Sequence, residues 1–418
     1  MALSYDILRN RDFRLLLSTR FFGTMAMQAQ AVIVGWQIYS LTHSAFLLGL
    51  AGLLEAIPAL TCGFFAGHMV DTHRPYRIFL LCVSGLVLNM LYLFLMGSGL
   101  ILAPGPQLVP WLFAGVFVSG AVRSFIMPSS FALQAQIVPR HQMPAAAAWL
   151  SSFFQIAAVS GPAIAGLIYG GYGAHTAWLM PVSFMSIEFI LVCAISRNHR
   201  KYRSSQQREP IFQSIAAGWR FVIHNRILLP VMALDMFAVL FGGAVAVLPV
   251  FADQVLHLGS EGLGLLRAAP AIGSIMTALY FAVKPMKNIR GSVLLAVITG
   301  FGACMLGFGL STAFLPAAIF LALSGSFDSV SMVIRGTLMQ LLIPDTMRGR
   351  VSALNSMFII SSNEIGAFES GTAASLLGLV PSIIFGGCMT LLIVGITAAT
   401  GRELRKVVVH SDKKEEAP

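Results

Sequence analysis

Charge is scarce in this chain. Asp, Glu, Lys and Arg make up only 11% of its 418 residues, against roughly 25% in a soluble domain. A soluble fold of this length could not cover its own surface with so few charges. Cysteine is scarce too. The five present, Cys62, Cys82, Cys193, Cys304 and Cys388, lack CxxC spacing, which argues against a disulfide framework or a thiolate metal site and leaves apolar packing. The nine histidines fall at span ends, in loops or in the tail. No HExxH, GxGxxG phosphate loop or GKS/GKT sequence occurs. Metalloenzyme, dinucleotide-dependent enzyme and ATP-driven pump are therefore set aside. The chain is expected to be no enzyme and to need no cofactor beyond a proton gradient.

What is abundant is apolar residue, at 57%, gathered into runs such as Ala45 to Phe65, Ile78 to Met96 and Ser292 to Leu310. About 20 such residues cross about 30 Å of hydrocarbon. The pattern predicts twelve spans, near 13–40, 46–70, 77–99, 109–138, 144–170, 176–196, 228–257, 261–284, 291–312, 314–343, 350–379 and 381–400. The fold class is an all-α membrane protein of two six-helix bundles. The expected division is 1–196 for the first bundle, 197–226 for a cytoplasmic linker with an amphipathic helix, 227–400 for the second bundle and 401–418 for a disordered tail. The first apolar segment is too long for a signal-peptide core, so no cleavable leader is expected.

The net charge of +10 is explained by its distribution. Arg20, Arg123, Arg267 and Arg335 lie within spans. The remaining Lys and Arg gather on one side: the N-terminus, Arg74 and Arg77, Arg140, the 197–226 connection, Lys284 to Arg290, Arg348 and Arg350, and the tail from Arg402. Such a bias places both termini in the cytoplasm, favours contact with anionic lipid headgroups and gives no reason to invoke nucleic acid. The absence of N-x-S/T sequons and of large outer loops favours a bacterial inner membrane.

A weak internal repeat runs through the chain. Ser119-Gly120-Ala121-Val122-Arg123 can be laid on Ser324-Gly325-Ser326-Phe327-Asp328 at a constant offset close to half the chain. At a slightly larger offset Asn10-Arg11 meets Asn225-Arg226 and Gly49-Leu50 meets Gly264-Leu265. Two parallel repeats place equivalent residues at equal depth. They oppose Arg20 to Asp235 and Arg123 to Asp328, and an isolated charge at mid-membrane costs about 2.5–3.5 kcal/mol. These four residues, with Arg335 two turns below Asp328, are expected to line a polar cavity, or else to hold the halves together. Gln28, Gln30, Trp36 and Gln37 on the first span offer hydrogen bonding and stacking to a substrate, or contact between helices. Glu55, Asp235, Asp328 and Glu364 are the candidate proton carriers, and a neutral, hydrogen-bonded acid is the alternative for each glutamate. Glu369 lies on the same span as Glu364 but about 140° around it, and Glu188 has no evident partner.

The segment Gly67-His68-Met69-Val70-Asp71-Thr72-His73-Arg74-Pro75-Tyr76-Arg77 resembles the G-x-x-x-D-R-x-G-R-R loop of the major facilitator superfamily. Gly67, Asp71 and Arg77 match, while Thr72 and Arg74 stand where the pattern has a basic residue and a glycine. Ser160-Gly161-Pro162-Ala163-Ile164-Ala165-Gly166 is similar to the G-P-x-x-G-G motif of the family's exporters. Arg20-Phe21, Leu41-Thr42-His43-Ser44 and Gly349-Arg350-Val351 look like the enterobactin-exporter branch. The resemblance implies the major facilitator fold, alternating access, a gating role for Gly67, Asp71, Arg77, Gly161 and Pro162, and proton antiport. The expected activity is proton-coupled export of a small organic molecule, a siderophore or an amphipathic drug, by a monomer. A lipid or lysolipid transporter and a non-transporting receptor or assembly partner are the alternatives.

Overall fold

The computed structural model describes residues 5–101, 103–139, 142–195, 211–283, 288–344 and 347–410. The helices are α1 Arg11–Thr42, α2 Ala45–Thr72, α3 Pro75–Gly97, α4 Val109–Ile137, α5 Met143–Ala194, α6 Ile211–His224, α7 Leu228–Gly242, α8 Leu248–Gln254, α9 Ser260–Val283, α10 Gly291–Gly309, α11 Phe314–Leu342, α12 Arg348–Leu377, α13 Leu379–Thr400 and α14 Arg402–Lys406. Strand β1, Asn288–Arg290, pairs antiparallel with β2, Val408–His410.

Among the described residues, eight helices are long and apolar enough to cross a membrane, or nine when the pair around the 97° bend between Ala217–His224 and Leu228–Gly242 is counted as one. The polar helices α1 and α12 fall outside that set. Leu81, Leu88 and Phe65 are each more than two-thirds exposed, a surface suited to acyl chains rather than water. The expected division into twelve spans is consistent with these elements if α5 counts as two and α7 with α8 as one.

Helix α5 shows why it counts as two. At 52 residues it would extend about 78 Å if straight. Gly173 interrupts it at φ 78°, a region that glycine enters without a Cβ penalty. Before the break the chain runs parallel to α1, with Phe153 beside Phe21, Gly161 against Met25 and Gln28 and Tyr169 bonded to Gln37. After it the chain returns, with Trp178 at Gln37, Phe184 at Phe22 and Glu188 at Gly23. The loop expected between 170 and 176 is helix on both sides of one glycine.

The contacts divide the chain into two units, Met1–Gln206 with Leu248–Ala268, and Gln207–Val247 with Ala269–Pro418. One helix in each opens on the same device. Asn10 Oδ1 accepts from the amides of Asp12 and Phe13 at 3.0 and 3.3 Å, capping α1. Asn225 Oδ1 accepts from Ile227 and Leu228 at 3.0 and 2.9 Å, opening α7. Each side chain satisfies amides that have no partner within the helix. A second shared feature is a close helix crossing. A Cβ on Gly120 would stand 2.2 Å from the carbonyl oxygen of Glu55, and one on Gly325 would stand 1.9 Å from that of Pro270. Both crossings bring backbone to backbone, as small residues permit in membrane bundles.

Two boundaries differ from expectation. Leu248–Ala268, expected with the second bundle, groups with the first, where Tyr39 Oη donates to Asp253 Oδ2 at 2.9 Å and Gly264 packs on Gly166. The tail expected to be disordered from 401 is ordered through His410. Leu404 is fully buried among Val231, Leu234, Leu294 and Ile334, and β2 completes the sheet with β1. Burying one leucine and pairing one strand offsets the ordering entropy that composition alone would leave uncompensated. Residues 411–418 and 196–210 of the linker lie outside the described residues, while the expected amphipathic helix is α6.

Candidate functional site

Each unit holds a polar centre of its own. In the second, Asp235 on α7 forms an ion pair with Arg335 on α11. Asp328, seven residues before Arg335 on α11, lies 3.7 Å from the same guanidinium. Two helical turns separate positions seven apart, so the shared face expected for Asp328 and Arg335 is present. The side chains of Asp235 and Arg335 are each 11% exposed, that of Asp328 42%. Arg335 Nε also donates to the Ser331 carbonyl at 3.3 Å. The site is thus one guanidinium between two carboxylates, one enclosed and one open.

In the first unit, Arg123 on α4 forms an ion pair with Glu55 on α2, just where Gly120 lets α4 touch the backbone of α2. Arg20 on α1 reaches Met127 on α4, with Nη2 3.2 Å from the sulfur, and interacts electrostatically with Glu188. Glu188 is 4% exposed, its carboxyl lying on α1 in the space Gly23 leaves open. The acid left without a partner in the sequence therefore has one.

Within each unit the charges have partners of their own: Asp235 meets Arg335, and Arg123 meets Glu55.

The polar run on α1 is divided by burial. Gln30 bonds Ser119 at 3.0 Å, and Asn89 joins that hydroxyl at 2.8 Å. Gln37 donates to the Gly97 carbonyl at 2.6 Å and accepts from Trp178 Nε1 at 3.0 Å. These two glutamines are enclosed cross-helix contacts. Gln28 and Trp36 stay partly open. Glu364 on α12 is partly exposed and engaged with neighbours.

Of the gating residues, Gly161 and Pro162 are buried, and a Cβ on Gly161 would lie 3.2 Å from the Met25 carbonyl oxygen, so this glycine sets the approach of α5 to α1. Arg77 is exposed at the start of α3. The exposure of Gly67 and the side chain of Asp71 lie outside what is described, although α2 continues through both.

The seventh span, expected as one continuous helix, is broken. Helix α7 stops at Gly242, and a short 3-10 turn at Ala244–Val247 precedes α8. The pair Gly242-Gly243 ahead of Pro249 was the available signal.

Comparison with known proteins agrees with this architecture. The chain is 24% identical over 385 residues to an enterobactin exporter, EntS, of Shigella boydii serotype 4 (strain Sb227), covering 92% of this chain and 90% of that protein. Among solved structures it resembles a POT family transporter in complex with a thioalcohol-conjugated peptide, with a TM-score of 0.76 at 10% identity over 95% of this chain and 97% of the other. It also resembles a bacterial homologue of the iron transporter ferroportin in an inward-facing state, with a TM-score of 0.69 at 18% identity over 95% and 99%. The sequence profile of the Major Facilitator Superfamily matches residues 16–367. This chain is an integral membrane transporter and belongs to the Major Facilitator Superfamily.

Proposed function

We propose that the chain is a proton-coupled exporter of a small organic anion, of catecholate siderophore type, working by alternating access in a bacterial inner membrane with both termini cytoplasmic. The observation that carries this reading is the trio Asp235, Arg335 and Asp328. Two carboxylates around one guanidinium leave one negative charge over. A substrate that meets Arg335 through an acidic group and donates its catechol hydroxyls to the ionised carboxylates is displaced when a proton taken up by the trio removes those acceptors. Substrate and proton thus compete for the same carboxylates, the physical requirement for exchange. The similarity to enterobactin exporters supports the substrate class. In the first unit, Arg123 and Arg20 repeat within that unit the arrangement of a guanidinium beside a carboxylate.

The test is transport by the purified protein in liposomes under an imposed pH gradient, with 2,3-dihydroxybenzoylserine and the cationic dye ethidium as probes. The expected result is gradient-dependent movement of the catecholate, lost in Asp235→Asn and Asp328→Asn. Movement of ethidium alone would shift the assignment to amphipathic drugs. Equal accumulation of both probes with and without the gradient would overturn proton coupling.

A further inference from the structure

The charge trio lies in the second unit and uses no group of the first. Among the described residues the most enclosed acid is Glu188 of the first unit, 4% exposed. Its carboxyl rests on the backbone of α1: a Cβ on Gly23 would stand 2.6 Å from Oε1 and closer still to Oε2. The packing around it is otherwise apolar. Leu86 and Met90 of α3 and Val122 and Ile126 of α4 gather about Met185, one turn before it. Phe79 and Val83 of α3 gather with Val192, one turn after it. The charged group that faces it is Arg20 of α1, while Arg123 of α4 is engaged by Glu55.

Two polar groups beside this acid are arranged as an ionised carboxylate would not leave them. Arg20 Nη2 is directed at Met127 Sδ, at 3.2 Å. A thioether is a weak acceptor, whereas a guanidinium binds a carboxylate through paired, charge-assisted hydrogen bonds. The ion pairs among the described residues nonetheless leave Glu188 out, so Arg20 stands within its field without closing on it. A carboxylic acid gives Arg20 no negative charge to close upon, and a neutral group tolerates enclosure that a bare carboxylate does not. The second group is Thr19, fully buried and one helical turn from Gly23 on the same face of α1. Thr42, Thr299 and Thr390 return their hydroxyls to the carbonyl four residues back, at 2.6, 2.9 and 3.0 Å. The Thr19 hydroxyl makes no such bond, nor any other among the described residues. A buried hydroxyl left without a partner is costly, and a water molecule on its way to Glu188 gives it one.

We propose that Glu188 is a second proton-binding site of the transporter, occupied in this conformation, and that Arg20 turns from Met127 to Glu188 when the proton leaves. The O–H bond of the acid breaks, water passing Thr19 carries the proton away, and the carboxylate left behind accepts from the guanidinium. A contact between α1 and α4 at Met127 is exchanged for one between α1 and α5 at Glu188, so the proton decides which helices Arg20 ties together. The site extends the proton-coupled reading to the first unit and rests on it for its part in transport. Its test needs neither substrate nor gradient. Failure here leaves the trio standing, and failure of the liposome assay leaves proton binding at Glu188 standing.

The experiment is infrared difference spectroscopy of the purified full chain in lipid nanodiscs as the pH is stepped upward. The expected result is a protonated-carboxyl stretching band that is lost as the pH rises. It should be absent in Glu188→Gln and present in Asp235→Asn and Asp328→Asn. If Glu188→Gln fails to fold, Glu188→Asp should move the band to a different frequency. Met127→Leu removes the sulfur acceptor and keeps the volume. It should shift loss of the band to lower pH, because it withdraws a contact made while Glu188 holds its proton. A wild type without such a band, or a band that the Glu188 variant leaves unchanged, would overturn the site. Loss of the band at the same pH in Met127→Leu as in wild type would overturn the exchange of partners by Arg20.

Discussion

Replacing Asp235 by alanine should destabilise the protein far more than removing Asp235 and Arg335 together. The two side chains form an ion pair and each is only 11% exposed. Removing one member of such a pair leaves the other charge enclosed, at a cost of about 3–5 kcal/mol. Asp328 at 3.7 Å offsets part of that cost, but its greater exposure screens it. For a cooperative unit of roughly 200 residues, 1 kcal/mol corresponds to about 2–4 °C, so the fall in melting temperature is on the order of 10 °C. The double variant Asp235→Ala/Arg335→Met removes both charges and keeps apolar volume, and it should recover most of the loss. Thiol labelling gives a direct assay, because Cys304 is buried and reacts with a maleimide dye only as the bundle opens. If the single variant unfolds within about 1 kcal/mol of wild type, or if the two substitutions are simply additive, the pair is not the enclosed structure described here. Additivity is the sharper criterion, since side chains in contact depart from it by 0.5–3 kcal/mol.

Two further outcomes follow from the packing. Gly120→Ala and Gly325→Ala should each lower the melting temperature by several degrees and by similar amounts, because each places a methyl within about 2 Å of a backbone carbonyl in an equivalent crossing; a loss at one site alone would break the equivalence. Leu404→Ala should destabilise the second unit by about 2–5 kcal/mol, read as faster labelling of Cys304 than of Cys82 in the first unit, whereas equal labelling would mean that the tail carries no such load.

The membrane class and the helix limits were legible because lipid imposes length and apolarity on every span, and these survive in a single sequence. The expected spans 77–99 and 291–312 lie within two or three residues of α3 and α10. The repeat was legible only faintly, yet Asn10 with Asn225 and Gly120 with Gly325 turned out to perform matching tasks. Azimuth was not legible. Which partner Asp235 takes depends on how α7 is rotated within its bundle, which hydropathy does not encode, and apart from Asp235 α7 is apolar on every side. Glu188 was missed for a related reason: its partner Arg20 lies on a helix far away in sequence, and the space its carboxyl fills is defined by the absent side chain of Gly23. The ordered tail escaped notice because composition reports charge, whereas one leucine, Leu404, decides the docking.

The reversal at Gly173 also bears on how the chain enters the bilayer. With a single residue at the turn, the segments before and after it have no hydrophilic connection that could wait in water while one of them inserts. They must partition as a helical hairpin, two crossings delivered in one event, which leaves the insertion machinery no stage at which to stop between them.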